Sequence, residues 1–374
     1  MPTLILSCST GGGHNSAAKA IKEIYDLNNE TCDIVEALDF CGKLILHTVC
    51  KGHVFLYRNL PHVFGRLYSS IEKHPDRLSQ GSLIYKLLSI GSERLYKYIT
   101  AGKYESVICT HTFAALMLTE TIRLYNLKLN SALVITDYTS YPGVSDTELN
   151  YYFIPDQRLV NDFNDIPSDR LIACGIPISQ RFYTKQEKHF AKKKMGISYT
   201  QRHILLLCGS MGCGPVAKLL KQLERQATRN CDISVICGTN SSLRHRLSKK
   251  YANKRNIHIR GYINDISVAM DSADICITKP GGISVTELLN KHIPMVLFDA
   301  VGGCEDYNCR WLVTNGFGIS SDNLKSVAYK SLRLIQSEID CERMKTAMFK
   351  NSGSNSARII YSTMKEVYCE TTCY

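Results

Sequence analysis

The sequence predicts an α/β protein made of two doubly wound, Rossmann-like domains. Three observations carry this. Short apolar runs alternate with segments of helical periodicity, the pattern of parallel strands covered by helices on both faces. Two such series occur, each with a glycine turn after its first strand: Ser9-Thr-Gly-Gly-Gly-His14 and Leu207-Cys-Gly-Ser-Met-Gly-Cys-Gly-Pro215. At 374 residues the chain has the length of about two domains.

The first series places strands at 3–8, 31–36, 105–110, 131–136, 150–154 and 170–174. The second places them at 203–208, 232–237, 256–260, 273–277 and 294–298. Thr3 to Cys8 reads as a buried strand, and a helix follows from Asn15 through Ala17, Ala18, Ala20, Ile21 and Ile24. Residues 41–86 interrupt the alternation. They mix cations with large apolar side chains: Lys43, Leu44, Ile45, Leu46, Lys51, His53, Phe55, Leu56, Tyr57 and Arg58, then Phe64, Arg66, Leu67, Tyr68, Lys73 and Arg77. Such spacing suits an interfacial segment on a membrane, and equally an amphipathic helix covering the sheet. Gly175-Ile-Pro-Ile178 ends the first series and the charged stretch Lys185–Lys194 precedes the second, so the boundary is expected there. This divides the chain into an N-terminal domain, 1–180, and a C-terminal domain, 181–350. The tail from about 322 onward reads helical.

The net charge of +11 is large and reads as diffuse. It suits anionic partners such as nucleotide diphosphates and anionic lipid surfaces. No compact nucleic-acid module is visible, so nucleic acid is not expected as a partner. Among the 16 cysteines there is no C-x-x-C pair or zinc spacing. Cys8, Cys109, Cys174, Cys208, Cys237 and Cys276 lie within or beside apolar runs, as reduced core thiols do, which implies a reducing, cytoplasmic setting. No run approaches the length of a membrane span, and the Leu4–Leu6 run is too short for a signal peptide.

The most informative segment is Thr278-Lys-Pro-Gly-Gly-Ile-Ser-Val-Thr-Glu287. An apolar run, a turn too tight for side chains and a helix start form a site for a diphosphate at a helix N-terminus. Lys279 adds a cation, and Glu287, one turn on, is placed to accept hydrogen bonds from a ribose. The competing reading is a capping box, Ser284-x-x-Glu287, which needs no ligand. The N-terminal loop lacks G-x-G-x-x-G spacing, and Glu36 is a weak match to the acidic residue of that fingerprint. What it has is His14 at a helix mouth. The positive helix end disfavours imidazolium, so His14 is expected to be neutral and able to take a proton. Asp137, at the end of the strand 131–136, is the second candidate for that chemistry; a cap after the strand is its plain alternative. No Asp-x-Asp pair is present to hold a metal.

Taken together, Thr10-Gly-Gly-Gly-His14, Cys208-Gly-Ser-Met-Gly-Cys-Gly214, Gly261-Tyr-Ile-Asn-Asp-Ile266 and Thr278-Lys-Pro-Gly-Gly282 resemble the monogalactosyldiacylglycerol synthase and bacterial diacylglycerol glucosyltransferase family. Thr136-Asp-Tyr138 and Gly175-Ile-Pro-Ile178 fall in the same order. The resemblance spans roughly residues 3 to 320. It implies a GT-B glycosyltransferase whose two domains face across a cleft, with a C-terminal helix, 351–374, packing back on the N-terminal domain. It implies an inverting, metal-independent transfer of a hexose from a uridine diphosphate (UDP) sugar to a membrane lipid, with His14 as base and no cofactor. Gly209, Ser210, Met211 and Gly212, with Pro280, Gly281, Gly282 and Thr286, are then expected at the donor diphosphate. Gly261 and Tyr262 would lie against the uracil, and Glu287, Glu305 and Asn308 at the ribose and sugar. Gly12, Gly13, Tyr138 and Tyr141 would line the acceptor loop. Two departures stand out. The family's Pro-Gly-Gln-Glu-x-x-Asn loop reads Gly302-Gly-Cys-Glu-Asp-Tyr-Asn308 here, with Cys304 in place of glutamine, and Tyr141 stands where diacylglycerol glucosyltransferases often carry histidine. The expected location is cytoplasmic, peripheral on the inner face of the membrane, against anionic lipid. An epimerase on the same fold and a non-catalytic nucleotide-sugar sensor are the competing functions. The epimerase would need further carboxylates at the anomeric carbon.

Overall fold

The computed structural model describes residues 2–42, 52, 55–56, 60–74, 77–226, 231–298, 300–351, 353 and 355–371. Lys43, Leu44, Ile45, Leu46, Lys51, His53, Tyr57 and Arg58 lie outside the described residues. The chain forms two compact units: Met1–Gln180 with Val301–Cys304 and Gly353–Tyr374, and Arg181–Ala300 with Glu305–Ser352.

Unit 1 opens on β1 (Thr3–Ser7), α1 (Gly12–Leu27) and β2 (Cys32–Glu36). The helices α2 (Pro61–Lys73), α3 (Leu83–Ser89) and α4 (Ser92–Ala101) follow. Then come β3 (Ser106–Cys109), α5 (Thr112–Tyr125), β4 (Asn130–Val134), β5 (Tyr151–Ile154) and β6 (Leu171–Ala173). The strands pair in parallel in the order β2-β1-β3-β4-β5-β6. All five residues of β1 are buried, as a central parallel strand requires.

Unit 2 contains α6 (Lys188–Lys194), β7 (Arg202–Leu207), α7 (Val216–Gln226), β8 (Cys231–Ile236), α8 (Ser241–Lys250), β9 (Ile257–Arg260), α9 (Ile266–Ser272) and β10 (Ile275–Thr278). It continues with α10 (Gly282–Lys291), β11 (Met295–Leu297), α11 (Cys304–Thr314, whose first residue, Cys304, falls in unit 1), β12 (Gly318–Ser320), α12 (Leu324–Gln336) and α13 (Glu338–Asn351). Its sheet is also parallel, in the order β12-β11-β10-β7-β8-β9. The final helix, α14 (Ser356–Thr371), belongs to unit 1. Its Ala357, Ile360 and Met364 join the core around Ile5, Ile21 and Tyr25. Burying a side chain such as Ile360 contributes about 1.5–3 kcal/mol, and Tyr361 adds an edge-on ring contact to Tyr25.

The architecture is the expected α/β pair of doubly wound sheets, with three differences of detail. β12 has no counterpart in the sequence reading, because a three-residue edge strand with a single isoleucine is too short to show a period. α1 begins at Gly12 rather than Asn15, so Gly12, Gly13 and His14 form its first turn and Gly11 its cap. The charge is not diffuse: unit 2 holds 27 Lys and Arg against 14 Asp and Glu, a net +13, and unit 1 holds 18 against 20, a net −2. The six cysteines assigned to the core are buried, and none of them is in a disulfide. Among the described residues no helix is long and apolar enough to cross a membrane.

Each sheet has one point where neighbouring strands leave in opposite directions along the sheet order. In unit 1 it lies between β1 and β3, in unit 2 between β7 and β10. Crevices at the carboxyl ends of such strands are where open α/β sheets bind ligands.

Candidate active site

His14 sits at the unit 1 switch point. Its Nδ1 lies 2.7 Å from the Thr110 carbonyl oxygen, just beyond β3. A carbonyl only accepts, so Nδ1 carries the hydrogen and, in the neutral ring, Nε2 holds the free lone pair. Thr136 Oγ1 lies 3.1 Å from the same Nδ1. It is 2.9 Å from the Tyr141 hydroxyl, which donates to Asp137 Oδ2 at 2.7 Å. Because the phenol's one hydrogen goes to the carboxylate, Thr136 donates to Tyr141 and its lone pairs face His14. The four groups therefore form a directed chain, His14 to Thr136 to Tyr141 to Asp137, ending on a negative charge. Burial holds the His14 ring below its ordinary 6.5, while Asp137, the Thr110 carbonyl and Glu36 pull the other way. Burial is thus the chief cause of neutrality, where the sequence pointed to the helix end. Burial, and next Asp137, also push the Tyr141 phenol well above its usual range, so it stays a donor.

Around this chain His111 stacks edge-on against His14, with ring centroids 4.6 Å apart, and caps α5 through the Phe113 amide. Tyr138 is buried. Glu36, the weak match to the fingerprint's acidic residue, accepts the Ser9 amide at 2.7 Å and braces the turn after β1. Cys304 meets Tyr68 of α2, Sγ to Oη 2.9 Å. Gly303 (φ +94°) makes this possible, since a Cβ there would fall 2.5 Å from the Tyr68 ring.

In unit 2 the switch point is flanked by the turns after β7 and β10. Gly209 and Gly212 have φ of +67° and +60°. A Cβ on Gly212 would collide with the Cys237 carbonyl, and one on Gly238 with the Ser210 carbonyl. The turn after β7 is thus seated on the turn after β8, held by Asn240 Nδ2 to the Gly212 carbonyl (2.9 Å) and the Thr239 amide to the Ser210 carbonyl (2.9 Å). Met211 lies within this turn. Across the switch, Gly281 caps α10 with no side-chain bond. Ser284 is the third residue of α10, not its cap, so the capping box does not exist here. Lys279 is buried, with Nζ 3.9 Å from Glu305 Oε2. Asn308 is fully buried and donates to the Pro280 carbonyl at 2.8 Å, fixing the glycine turn. Thr286 donates to the Gly282 carbonyl. Part of Glu287 reaches solvent, yet its surroundings push the carboxyl up to about 8, burial outweighing the Arg181 guanidinium. Gly261 faces the Arg244 side chain, and Tyr262 is 65% exposed. Among the described residues no cluster of three His, Cys, Asp or Glu side chains is arranged to hold a metal.

The structure thus brings His14, Tyr141 and Asp137 into one network, and sets Gly209–Gly212 and Lys279–Gly282 on the two sides of one switch point. Thr110 and Gly238 escaped the sequence reading, and Thr136 and Tyr68 were named there without a role in the site. Gly238, in a glycine turn after an apolar run, carried a local signal; Thr110 carried none.

Two family models match the chain: monogalactosyldiacylglycerol (MGDG) synthase over residues 14–178 and the glycosyltransferase family 28 C-terminal domain over residues 203–360. The chain is 24% identical over 367 residues to the processive diacylglycerol beta-glucosyltransferase of Staphylococcus saprophyticus, covering 97% of this chain and 90% of that one. Among solved structures it superposes on MurG of Acinetobacter baumannii with a TM-score of 0.67 at 12% identity, covering 97% of this chain and 99% of the other. A UDP-N-acetylglucosamine 2-epimerase aligns at 0.60 and 11% identity, covering 98% and 96%. At such identities these two establish the GT-B fold and nothing more.

Proposed function

We propose that the chain, which matches the MGDG synthase model over residues 14–178 and the glycosyltransferase family 28 C-terminal model over residues 203–360, is a glycosyltransferase that transfers a hexose from a UDP-sugar to diacylglycerol in a membrane, with inversion and without a metal. The observation that carries this is the bare Nε2 of His14, held by the Thr110 carbonyl at the switch point. The acceptor hydroxyl gives its proton to Nε2. Its oxygen bonds to the anomeric carbon as the bond to the diphosphate oxygen breaks, a single displacement that inverts the centre. The imidazolium so formed keeps its Nδ1 hydrogen bond, and the chain through Thr136 and Tyr141 to Asp137 stabilises its charge. The departing diphosphate is met by the amides at the start of α10 and in the turn after β7, with Lys279 beside them. The named relative makes a beta-glucoside, which is the inverted product of an α-linked nucleotide sugar.

Incubation with labelled UDP-glucose, UDP-galactose and UDP-N-acetylglucosamine and mixed lipids is expected to give a glycolipid. An altered sugar nucleotide would indicate an epimerase, and binding without turnover a sensor. Turnover is expected to survive EDTA, since the helix ends and Lys279 supply the positive charge a metal would bring. Complete loss restored by magnesium or manganese would overturn that part.

Glu287 gives a pH-dependent signature. Ribose hydroxyls donate best to a carboxylate, while the empty site holds Glu287 largely protonated near pH 7 because its folded value is about 8. UDP binding therefore releases a proton, and affinity rises from pH 7 to above 8, where the carboxylate is already formed. Glu287→Gln should abolish the proton release and weaken UDP binding by about 10–100-fold. Calorimetry in buffers of different ionisation enthalpy reads both. Equal proton release by the variant would remove Glu287 from the donor site.

The proposal includes a peripheral location on the inner face of the cell membrane. Exposed Phe55, Leu60, Val63 and Leu67, followed by Leu83, Leu87 and Ile90, supply an apolar surface in unit 1 for the bilayer interface.

A further inference from the structure

The excess positive charge of unit 2 includes a helix face that the transfer chemistry does not use. We propose that α7 and α8 with the turn after α8 form an electrostatic dock for an anionic bilayer surface, an inference that rests on the acceptor being a membrane lipid.

α7 buries Val216, Leu219, Leu220 and Leu223, and α8 buries Leu243 and Leu247. All six join one core cluster with Ile204, Leu206, Ile233 and Val235 of the sheet. Both helices therefore cover the same sheet face and turn their other sides to water together. On α7 that side carries Lys218, Lys221 and Arg225, at i, i+3 and i+7. On α8 it carries Arg246, Lys249 and Lys250, and the next turn adds Lys254 and Arg255. All eight are exposed. The only acid within 216–226 and 241–255 is Glu224, half-buried and paired with Lys254 at 3.0 Å. That pair ties the turn after α8 to α7 and makes the face continuous.

Other helices of this chain neutralise their cations locally, through Lys22 with Asp26, Lys97 with Glu93, Arg343 with Asp340 and Lys345 with Glu342. This face does the reverse. Arg246 stands three and four residues from Lys249 and Lys250, and Lys218 three from Lys221, spacings at which like charges oppose the helix. A plane of phosphates relieves that repulsion, and each cation near an anionic bilayer adds to binding until salt screens it. A bilayer suits the face better than a nucleic acid strand. Tyr251, the one Phe, Tyr or Trp of α8 and its following turn, is buried, so no large aromatic ring is offered for base stacking.

The test is sedimentation of the full chain with vesicles of phosphatidylcholine alone and of phosphatidylcholine mixed with phosphatidylglycerol. Wild type is compared with Arg246→Glu/Lys249→Glu/Lys250→Glu/Arg255→Glu and with a control, Arg66→Glu/Lys73→Glu. The four-fold variant should lose about 100-fold or more of its partitioning onto the mixed vesicles at low salt, and little on the neutral ones. Its melting temperature, and its transfer to a short-chain diacylglycerol dispersed in detergent, should match wild type. Undiminished sedimentation of the four-fold variant overturns the dock, as does tighter binding to single-stranded RNA than to the mixed vesicles at the same salt. If wild type makes no glycolipid from the dispersed acceptor while the vesicle result holds, the functional reading fails and the dock stands.

Discussion

His14→Ala is expected to keep UDP affinity and thermal stability and to lose about 10²–10⁴-fold in turnover. The donor turns belong to unit 2, whereas His14 belongs to unit 1, so the variant separates binding from chemistry. The wild-type rate should fall on the acid side with an apparent pKa below 6.5, because burial lowers the ring and the working form is the neutral one. Above that value the base is fully available. Single-turnover rates measured against pH check both points. A variant that turns over within a few-fold of wild type, or a wild-type acid limb well above 6.5, would remove His14 from the role of base.

Asp271→Ala should cause the largest loss of stability. Lys291, the last residue of α10, is fully buried at its side chain, and Asp271 is 2% exposed. Their oxygen and nitrogen lie 2.7 Å apart, and the ammonium also donates to the Thr184 carbonyl. Removing the carboxylate strands a buried cation, which costs about 3–5 kcal/mol. Trp311 is the chain's one tryptophan and lies in unit 2, so its fluorescence in urea reports the unfolding of this unit. The double change Asp271→Leu/Lys291→Met should recover much of the loss, because it leaves no charge in the interior. A loss under about 1 kcal/mol for the single variant would show that water reaches Lys291. The pair anchors the end of α10 opposite its glycine turn, so UDP affinity should fall with stability.

Sequence alone determined what rests on near neighbours. Five- and six-residue apolar runs with intervening helical periods define parallel α/β sheets, because burial on both faces leaves strands no polar alternation. Gly281-Gly282 before Ile283 and Val285 marks a helix N-terminus, since the turn and the period lie within ten residues. His14 was legible for the same reason, standing beside three glycines after a strand. Tertiary structure alone decided the rest. Thr110 is 96 residues from His14 and Thr136 is 122, and they meet only because β1 pairs with β3 and β3 with β4. Strand order is not written in periodicity, so neither the tautomer of His14 nor its path to Asp137 follows from the motif. Cys304 and Tyr68, 236 residues apart, also meet only through the fold. At Ser284 the local pattern pointed to a cap, but the backbone starts α10 two residues earlier, where Gly282 follows the extended Gly281. Local spacing encodes which elements form. The bonds between their ends depend on which elements become neighbours, and that is settled by the packing of whole sheets.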